Sequence, residues 1–224
     1  MHHSHVVLIP NKTNPEYITE YQPISLGNVV ARVVSKVIAN RVKTILPSVI
    51  SNSQSAFVPT RLITDNTLVA YEMLHRMQKR QKGKIGHMAV KLNISKAYDR
   101  IEWNFLKQIM LKIGLPEQWV GLAMKTVQTA SYSFLINGEP RGHITPTHGI
   151  KQGDPLSPYL FLLCSEGLNG LIEHVVDRKH IEGVSLCRNG PKISHLFFVD
   201  DSLLFCRARM GEVEKIQELL GKYE

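Results

Sequence analysis

The chain of 224 residues has few of the features that mark secreted, disulfide-bonded or membrane proteins. Its three cysteines, Cys164, Cys187 and Cys206, are an odd number, widely spaced and set among apolar residues. This pattern argues against a disulfide framework or a zinc site and indicates the reduced thiols of an intracellular protein. No apolar run approaches the roughly 20 residues of a transmembrane helix, and the first residues lack the pattern of a secretory signal. We therefore expect an intracellular protein that has no membrane partner.

Acidic residues are also scarce relative to basic ones. The 27 Lys and Arg residues outnumber the 19 Asp and Glu residues, which gives a net charge of +8. Such a balance favours a polyanionic partner such as a nucleic acid, although a solvated basic surface is the alternative interpretation. Internal repeats, low-complexity tracts and an obvious linker are missing, and 43% of the residues are hydrophobic. The composition therefore predicts one substantial core or two modest lobes.

The first half of the chain alternates short strands with amphipathic helices. Residues 5–9 read as a strand, and apolar residues at helical spacing predict a buried stripe on a helix that Pro47 ends. A second helix begins at an N-cap, Thr64 or Asp65, and has an inward face. The two predicted inward faces are Val30, Val33, Val34, Val37, Ile38, Val42 and Ile45, and Leu68, Tyr71, Met73, Leu74 and Met77.

The end of the second helix is strongly basic. Five positive charges, Arg76, Lys79, Arg80, Lys82 and Lys84, lie within nine residues. This cluster is typical of a solvated helix end, and it could also contact a phosphate backbone.

The second half has a strand at 87–94, an amphipathic helix capped at Gly114 and a hairpin that turns at Asn137-Gly138. A largely buried helix follows at 159–178, and two short strands then flank Asp200-Asp201. Because strands and helices are mixed without regular βαβ alternation, we expect an α+β fold.

Two adjacent carboxylates stand out in "LFFVDDSLLF", because apolar runs surround Asp200 and Asp201. Either a turn holds them in water or a divalent cation such as Mg²⁺ needs them, together with a further oxygen ligand. The strand-to-helix junction "KLNISKAYD" is a natural source of that ligand. The glycine-containing loop "GIKQGDPLSP" precedes a helix whose N-terminus could receive phosphate or a nucleotide.

The order and spelling of these segments are far more specific than any one of them. Residues 8–66, "KLNISKAYDRIEW", "GIKQGDPLSPYLFLLCSEGL" and "FFVDDSLLF" together resemble the reverse transcriptase of plant LINE-type (non-LTR) retrotransposons. The resemblance covers essentially the whole chain. It implies a right-hand polymerase architecture of fingers and palm, with an antiparallel palm sheet and without the thumb, found in the nucleus or the cytoplasm.

The resemblance assigns the metal-binding positions. In the family, the Asp pair and one Asp on the preceding strand hold two Mg²⁺ ions, and the pair corresponds to Asp200 and Asp201. The strand Asp corresponds to Asn93, which is neutral. Because an amide cannot bridge two Mg²⁺ ions as a carboxylate does, we expect weak catalysis or none.

The resemblance also assigns nucleotide-binding positions. Tyr98 matches the aromatic residue that lies beneath the sugar of the incoming nucleotide, and Gln152 and Gly153 match the loop that contacts this nucleotide and the template. Gln22 stands where the family has a triphosphate-binding Arg, and Lys12 lies one residue from the position of a family Lys.

These assignments predict fingers at about 1–86 and 116–148 and a palm at about 87–115 and 149–224, by resemblance to the family. The implied partners are an RNA template, an RNA/DNA primer duplex and dNTPs, while the oligomeric state is left open. Whether this copy is an enzyme is left open too. The alternatives are a non-catalytic nucleic-acid-binding scaffold and the relic of a decayed element with no function.

Overall fold

A computed structural model describes residues 2–79, 85–94, 96–187, 190–199 and 201–223. The chain divides into two compact units, each made of two stretches of sequence. Unit 1 contains residues 1–45 and 96–164, and unit 2 contains residues 46–95 and 165–224. Two long helices, α1 (Val29–Val49) and α5 (Ser157–Asp177), begin in unit 1 and end in unit 2. The fingers and palm boundaries given above stay a prediction.

Unit 1 is built on a four-stranded sheet of order β2-β1-β4-β5. Strand β1 pairs antiparallel with β2 and parallel with β4, and the β4–β5 hairpin turns at Asn137-Gly138 as the sequence predicts. Both turn residues have positive φ, 51° and 83°, which is the backbone that Asn-Gly pairs favour in tight hairpins. Besides the two long helices, the elements of unit 1 are β1 His2–Pro10, β2 Tyr21–Gly27, α3 Trp103–Lys112, α4 Glu117–Gln128, β4 Ala130–Ile136 and β5 Glu139–Ile144.

Unit 2 is built on an antiparallel sheet of order β3-β9-β8, beside a two-stranded ribbon of β6 and β7. One core cluster joins α5 and α6 to the sheet through residues such as Leu168, Phe197 and Leu219. A second cluster joins α2 to the sheet through Met73 and Phe205. The elements are α2 Ile63–Lys79, β3 His87–Asn93, β6 Val184–Ser185, β7 Lys192–Ile193, β8 His195–Phe198, β9 Asp201–Arg207 and α6 Met210–Tyr223.

The free edge of β8 is covered by the loop that follows α1. The Phe197 amide donates to the Ser53 carbonyl at 2.8 Å, and the Asn66 side-chain amide donates to both the Ser53 and Phe197 carbonyls. Arg61 donates to three carbonyls of the same loop, those of Ile50, Ser51 and Gln54. Because buried backbone groups need partners, these bonds fix the strand that leads into the acidic hairpin.

Several sequence expectations about helices are wrong. Pro47 does not end α1, because the Ile50 amide still bonds the Leu46 carbonyl at 2.9 Å and closes the last turn. The predicted inward stripe of α1 is buried only at Ile38 and Val42 and half-buried at Ile45, while four of its valines are exposed. Those valines are Val30, Val33, Val34 and Val37.

The predicted inward face of α2 is also mostly wrong. In α2 only Met73 of the predicted inward face is buried and Met77 half-buried, whereas Leu68, Tyr71 and Leu74 are exposed. Helix α2 begins at Ile63, so neither predicted N-cap is right, although the Asp65 carboxylate does accept the Leu62 amide. Helix α3 begins at Trp103, after a turn, and ends at Lys112, with the predicted Gly114 at positive φ two residues later.

Cys164 and Cys206 are buried free thiols as expected, whereas Cys187 is exposed. Among the described residues, no helix is both long and apolar enough to cross a membrane. Arg80, Lys82 and Lys84 of the basic cluster lie outside the described residues.

A pH-dependent stability follows from His195, which is buried at the start of β8. Its Nε2 donates to Asn169 Oδ1 at 2.7 Å, and its Nδ1 lies 2.9 Å from Ser194 Oγ. Burial lowers the pKa of His195 to about 4, so the folded state binds this proton less tightly than the unfolded chain. The resulting stability is complete above pH 6.5 and is lost as the pH falls towards 4, by about 3 kcal/mol in total.

We therefore expect His195→Gln to reduce the loss of stability between pH 7 and pH 4, measured as the urea-derived free energy of unfolding at each pH. The exposed His180→Gln is the matched control for removing one histidine from the same unit. A stability difference between wild type and His195→Gln that does not change with pH would contradict this assignment.

Candidate active site

Two of the three predicted metal-binding residues lie at one end of the β3–β9 ladder in unit 2. Asn93, the last residue of β3, is directly opposite Asp201, the first residue of β9. Asp200, the other member of the acidic pair, lies outside the described residues. The fold thus brings Asn93 and Asp201 together, as the resemblance implies.

Lys91 is a cation close to this end of the ladder. It lies on the same face of β3 as Asn93, diagonal to Asp201, and its Nζ is 3.3 Å from Asp201 Oδ1. The distance suits an ion pair, but the angles are not those of a hydrogen bond. Oδ1 is shielded from solvent, and no described residue donates a hydrogen bond to it. Since both side chains are about half exposed, the pair adds little stability.

The described residues do not provide the oxygen donors of a two-metal site. Mg²⁺ prefers carboxylate and other hard oxygen ligands, and here one carboxylate faces an amide and an ammonium group. No cluster of three or more His, Cys, Asp or Glu side chains suited to a metal occurs in the part of the chain that the structure describes. Asn93 and Lys91 therefore fit the two magnesium ions of the family poorly.

Three of the predicted nucleotide-binding residues, Tyr98, Gln152 and Gly153, lie in or against the loop at 149–156. The Ile150 amide donates to the Tyr98 carbonyl at 2.9 Å, and the Tyr98 ring stacks on Phe161 with centroids 5.3 Å apart. The Gln152 carbonyl accepts the Ser25 amide of β2 at 3.1 Å, while Gln152 Oε1 is buried and receives no hydrogen bond from the described residues. The loop at 149–156, which contains Gln152, therefore contacts both Tyr98 and strand β2.

Two glycines allow this close approach. Gly149 and Gly153 have φ of +83° and +92°, a region that side chains rarely adopt. A Cβ at Gly149 would lie 2.9 Å from the Asp99 carbonyl oxygen, and one at Gly153 would lie 3.2 Å from the Ser25 carbonyl oxygen. The local backbone therefore requires the glycine of "QG", Gly153, independently of any ligand.

The two residues of unit 1 that are predicted to contact phosphate provide one lysine and one neutral glutamine. Gln22 is an exposed, neutral residue of β2, opposite Ile9 of β1. Lys12 lies in the β1–β2 connection, where its Nζ is 2.6 Å from Glu20 Oε1. The Lys12 ammonium is the main reason that the pKa of Glu20 lies below its usual value, so the lysine charge is already compensated.

Sequence reasoning missed two charged residues of the same loop. The Asp154 carboxylate accepts the Ser35 hydroxyl and the Leu156 amide just before α5. Lys151 is half-buried, 3.3 Å from Ser4 Oγ and 5.8 Å from the centre of the Tyr132 ring, and burial lowers its pKa. A charged pair flanking Gln152 and Gly153 in "KQGD" was the available signal.

The fold has relatives among solved structures. A telomerase from Candida tropicalis in complex with a fragment of telomeric RNA superposes with a TM-score of 0.65 at 11% identity, over 99% of this chain and 39% of that one. A telomerase from Candida albicans gives a TM-score of 0.62 at 12% identity, over 99% and 40%. The α+β fold is thus confirmed as that of a right-hand polymerase.

The family model for reverse transcriptase (RNA-dependent DNA polymerase) matches residues 9–223, and the chain belongs to this family. An uncharacterized mitochondrial protein of Arabidopsis thaliana is 49% identical over 69 residues, which is 31% of this chain and 57% of that protein. The Pol polyprotein of the retrotransposable element R2DM of Drosophila melanogaster is 26% identical over 216 residues, 96% of this chain and 19% of the polyprotein. The domain is thus of the non-LTR retroelement type, as predicted, and spans only part of these relatives.

The loop geometry predicts a strong effect of Gly149→Ala. The added Cβ would be strained at positive φ and would meet the Asp99 backbone, so we expect a loss of about 2–4 kcal/mol in the free energy of unfolding, measured by urea denaturation.

Gly121→Ala in α4 is the matched control, because its Cβ meets nothing within 4 Å. There we expect a gain of about 0.5–1 kcal/mol from the higher helix propensity of alanine. Equal stabilities of the two variants would contradict the close packing at Gly149.

Proposed function

We propose that this reverse transcriptase domain binds RNA template and primer duplex but transfers nucleotides weakly or not at all. The observation that supports this most directly is the neutral Asn93 opposite Asp201, with the Lys91 ammonium 3.3 Å from the carboxylate. Two positions that need negative charge for Mg²⁺ thus hold an amide and a charge-compensated acid.

The size of the defect can be estimated from related substitutions. Disturbing even the outer partners of metal ligands costs about 10- to 100-fold in metal affinity or activity. Losing a ligand itself costs more, and a 10³-fold loss corresponds to about 4 kcal/mol in the activation barrier. Restoring one carboxylate should therefore have a large, measurable effect.

The nucleotide-binding half is proposed to be intact in shape and depleted in charge. Tyr98, Gln152 and Gly153 keep the residue types that the family uses around the incoming dNTP. Gln22 cannot replace the bidentate phosphate contact of an arginine, and Lys12 is paired with Glu20. The pattern favours a surface that accommodates a nucleotide without holding its triphosphate firmly.

Nucleic-acid binding depends on none of these catalytic charges. The net charge of +8 favours phosphate contacts, which give affinity that falls steeply with salt. A non-catalytic scaffold for RNA or RNA/DNA duplex in the nucleus or the cytoplasm is therefore the second candidate function.

We expect Asn93→Asp combined with Gln22→Arg to extend a primer on an RNA template with Mg²⁺ at least about 100-fold faster than the unmodified chain. Asn93→Asp should also gain stability on addition of Mg²⁺, measured as a shift of the thermal unfolding midpoint, because a bound ion stabilises the folded state.

Asn93→Ser is the matched control, since it is neutral like asparagine and should show neither gain. Robust extension by the unmodified chain would overturn the proposed impairment. A doubly restored chain that stays inactive would mean that Asn93 and Gln22 are not what limits catalysis.

A further inference from the structure

A cavity lined by described residues lies in unit 2, away from the candidate active site. It has a volume of about 970 Å³ and is lined by α2, the start of β3, the β6–β7 ribbon and the end of β9. This volume is that of a large ligand site. The sites discussed above contribute none of its lining residues.

The register of the β3–β9 ladder separates this cavity from the acidic hairpin. His87 and Arg207, which line the cavity, are opposite each other at one end of the ladder. Asn93 and Asp201 are opposite each other at the other end, six residues further along β3. At about 3.3 Å per residue, the two ends are roughly 20 Å apart.

On the wall formed by the ribbon and β9, the basic side chains of Lys192 and Arg207 share an acidic partner. The Glu182 carboxylate forms ion pairs with Lys192 and with Arg207, the latter at 2.7 Å. This wall therefore has two cations and one anion that hold each other in place.

On the wall formed by α2, the basic side chains have no acidic partner among the described residues. Arg76 and Lys79 line the cavity, and among the described residues neither forms an ion pair, not even with Glu72 one turn before Arg76. The Nε of Arg76 is buried and has no acceptor in the part of the chain that the structure describes. Basic residues in the last turn of a helix often serve only to compensate the helix dipole. A side chain with only that role would keep its Nε in water, whereas the Nε of Arg76 is buried.

An aromatic surface lies beside these cations. Tyr71, one turn before His75 on α2, is 69% exposed, and its ring is stacked on the His75 ring with centroids 6.1 Å apart and an angle of 8°. Both residues line the cavity. An exposed flat ring next to uncompensated cations is the combination that binds single-stranded nucleic acid, with bases on the ring and phosphates on the cations.

We propose that this cavity binds a segment of single-stranded RNA, with its phosphates on Arg76 and Lys79 and a base stacked on Tyr71. It would be a second RNA contact on the domain, independent of the carboxylates. The proposal rests on the nucleic-acid binding proposed above and not on nucleotide transfer. A free phosphate ion would leave most of the cavity and the Tyr71 ring without a partner.

The test is the binding of a short fluorescent single-stranded RNA to the full chain, measured by anisotropy over a range of salt concentrations. We expect Arg76→Ala/Lys79→Ala to weaken binding at least about tenfold and to reduce the slope of log K against log salt by about 1.4, for two lost phosphate contacts. Arg76→Lys keeps the charge but lacks Nε. We expect its affinity for the RNA to lie between that of the unmodified chain and that of the double variant.

The matched control is Lys107→Ala/Lys112→Ala on α3, which removes the same charge from exposed residues outside the cavity. Lys112, like Lys79, lies in the last turn of its helix, so both double variants lose a similar dipole interaction. Equal losses in the two double variants would overturn the site and leave the proposed function standing. An unmodified chain that binds no RNA would overturn both.

Tyr71→Ala and Tyr71→Phe test the base contact separately. We expect about a tenfold loss for Tyr71→Ala and none for Tyr71→Phe, because the stacking surface is kept in phenylalanine. Photocrosslinking of a thiouridine-containing RNA should label the peptide that contains α2. Because Tyr71 is exposed, its replacement should not unfold the chain. Unchanged binding by Tyr71→Ala together with crosslinks elsewhere would contradict the proposal.

Discussion

The register of β3 on β9 is the constraint on which both candidate sites depend. Met88 and Val90 lie opposite Cys206 and Leu204, and all four contribute to one core cluster. A shift by one residue would turn this apolar set to the other face of the sheet, so the packing fixes the pairing. The same pairing places Asn93 against Asp201 at one end and His87 against Arg207 at the other.

The residues that hold the edge of this sheet differ from those predicted to bind metal. The edge of the sheet is held by Asn66 and Arg61, whose donors satisfy carbonyls of the loop and of β8. Neither residue is a predicted metal or nucleotide ligand. An amide in place of a carboxylate at position 93 leaves these bonds and the core unchanged, because it alters only charge at the end of a strand. A domain can in this way lose its chemistry and keep its architecture.

Sequence reasoning predicted local features well where one or two residues determine the backbone. Asn137-Gly138 and Gly114 are examples, since positive φ is a local property. It failed for the faces of helices, because a valine stripe such as that of α1 says that a face is apolar and not what covers it. The motifs around Tyr98, Gln152 and Asp201 could be found by resemblance, although their approach through Gly149 and Ser25 depends on contacts between distant segments. The cavity beside Arg76 could not be foreseen, since its two walls are more than 100 residues apart in the sequence.

Binding and catalysis place different electrostatic demands on the chain. Phosphate contacts need only accessible positive charge, and each one adds affinity independently of the others. Nucleotide transfer needs opposite charges at fixed positions, so one neutral residue at a ligand position removes most of the rate. The cavity end of the ladder, at His87 and Arg207, lies about 20 Å along the sheet from the neutral Asn93, beyond the Debye length at physiological salt. The charge at position 93 therefore has little effect on the proposed RNA binding at the other end.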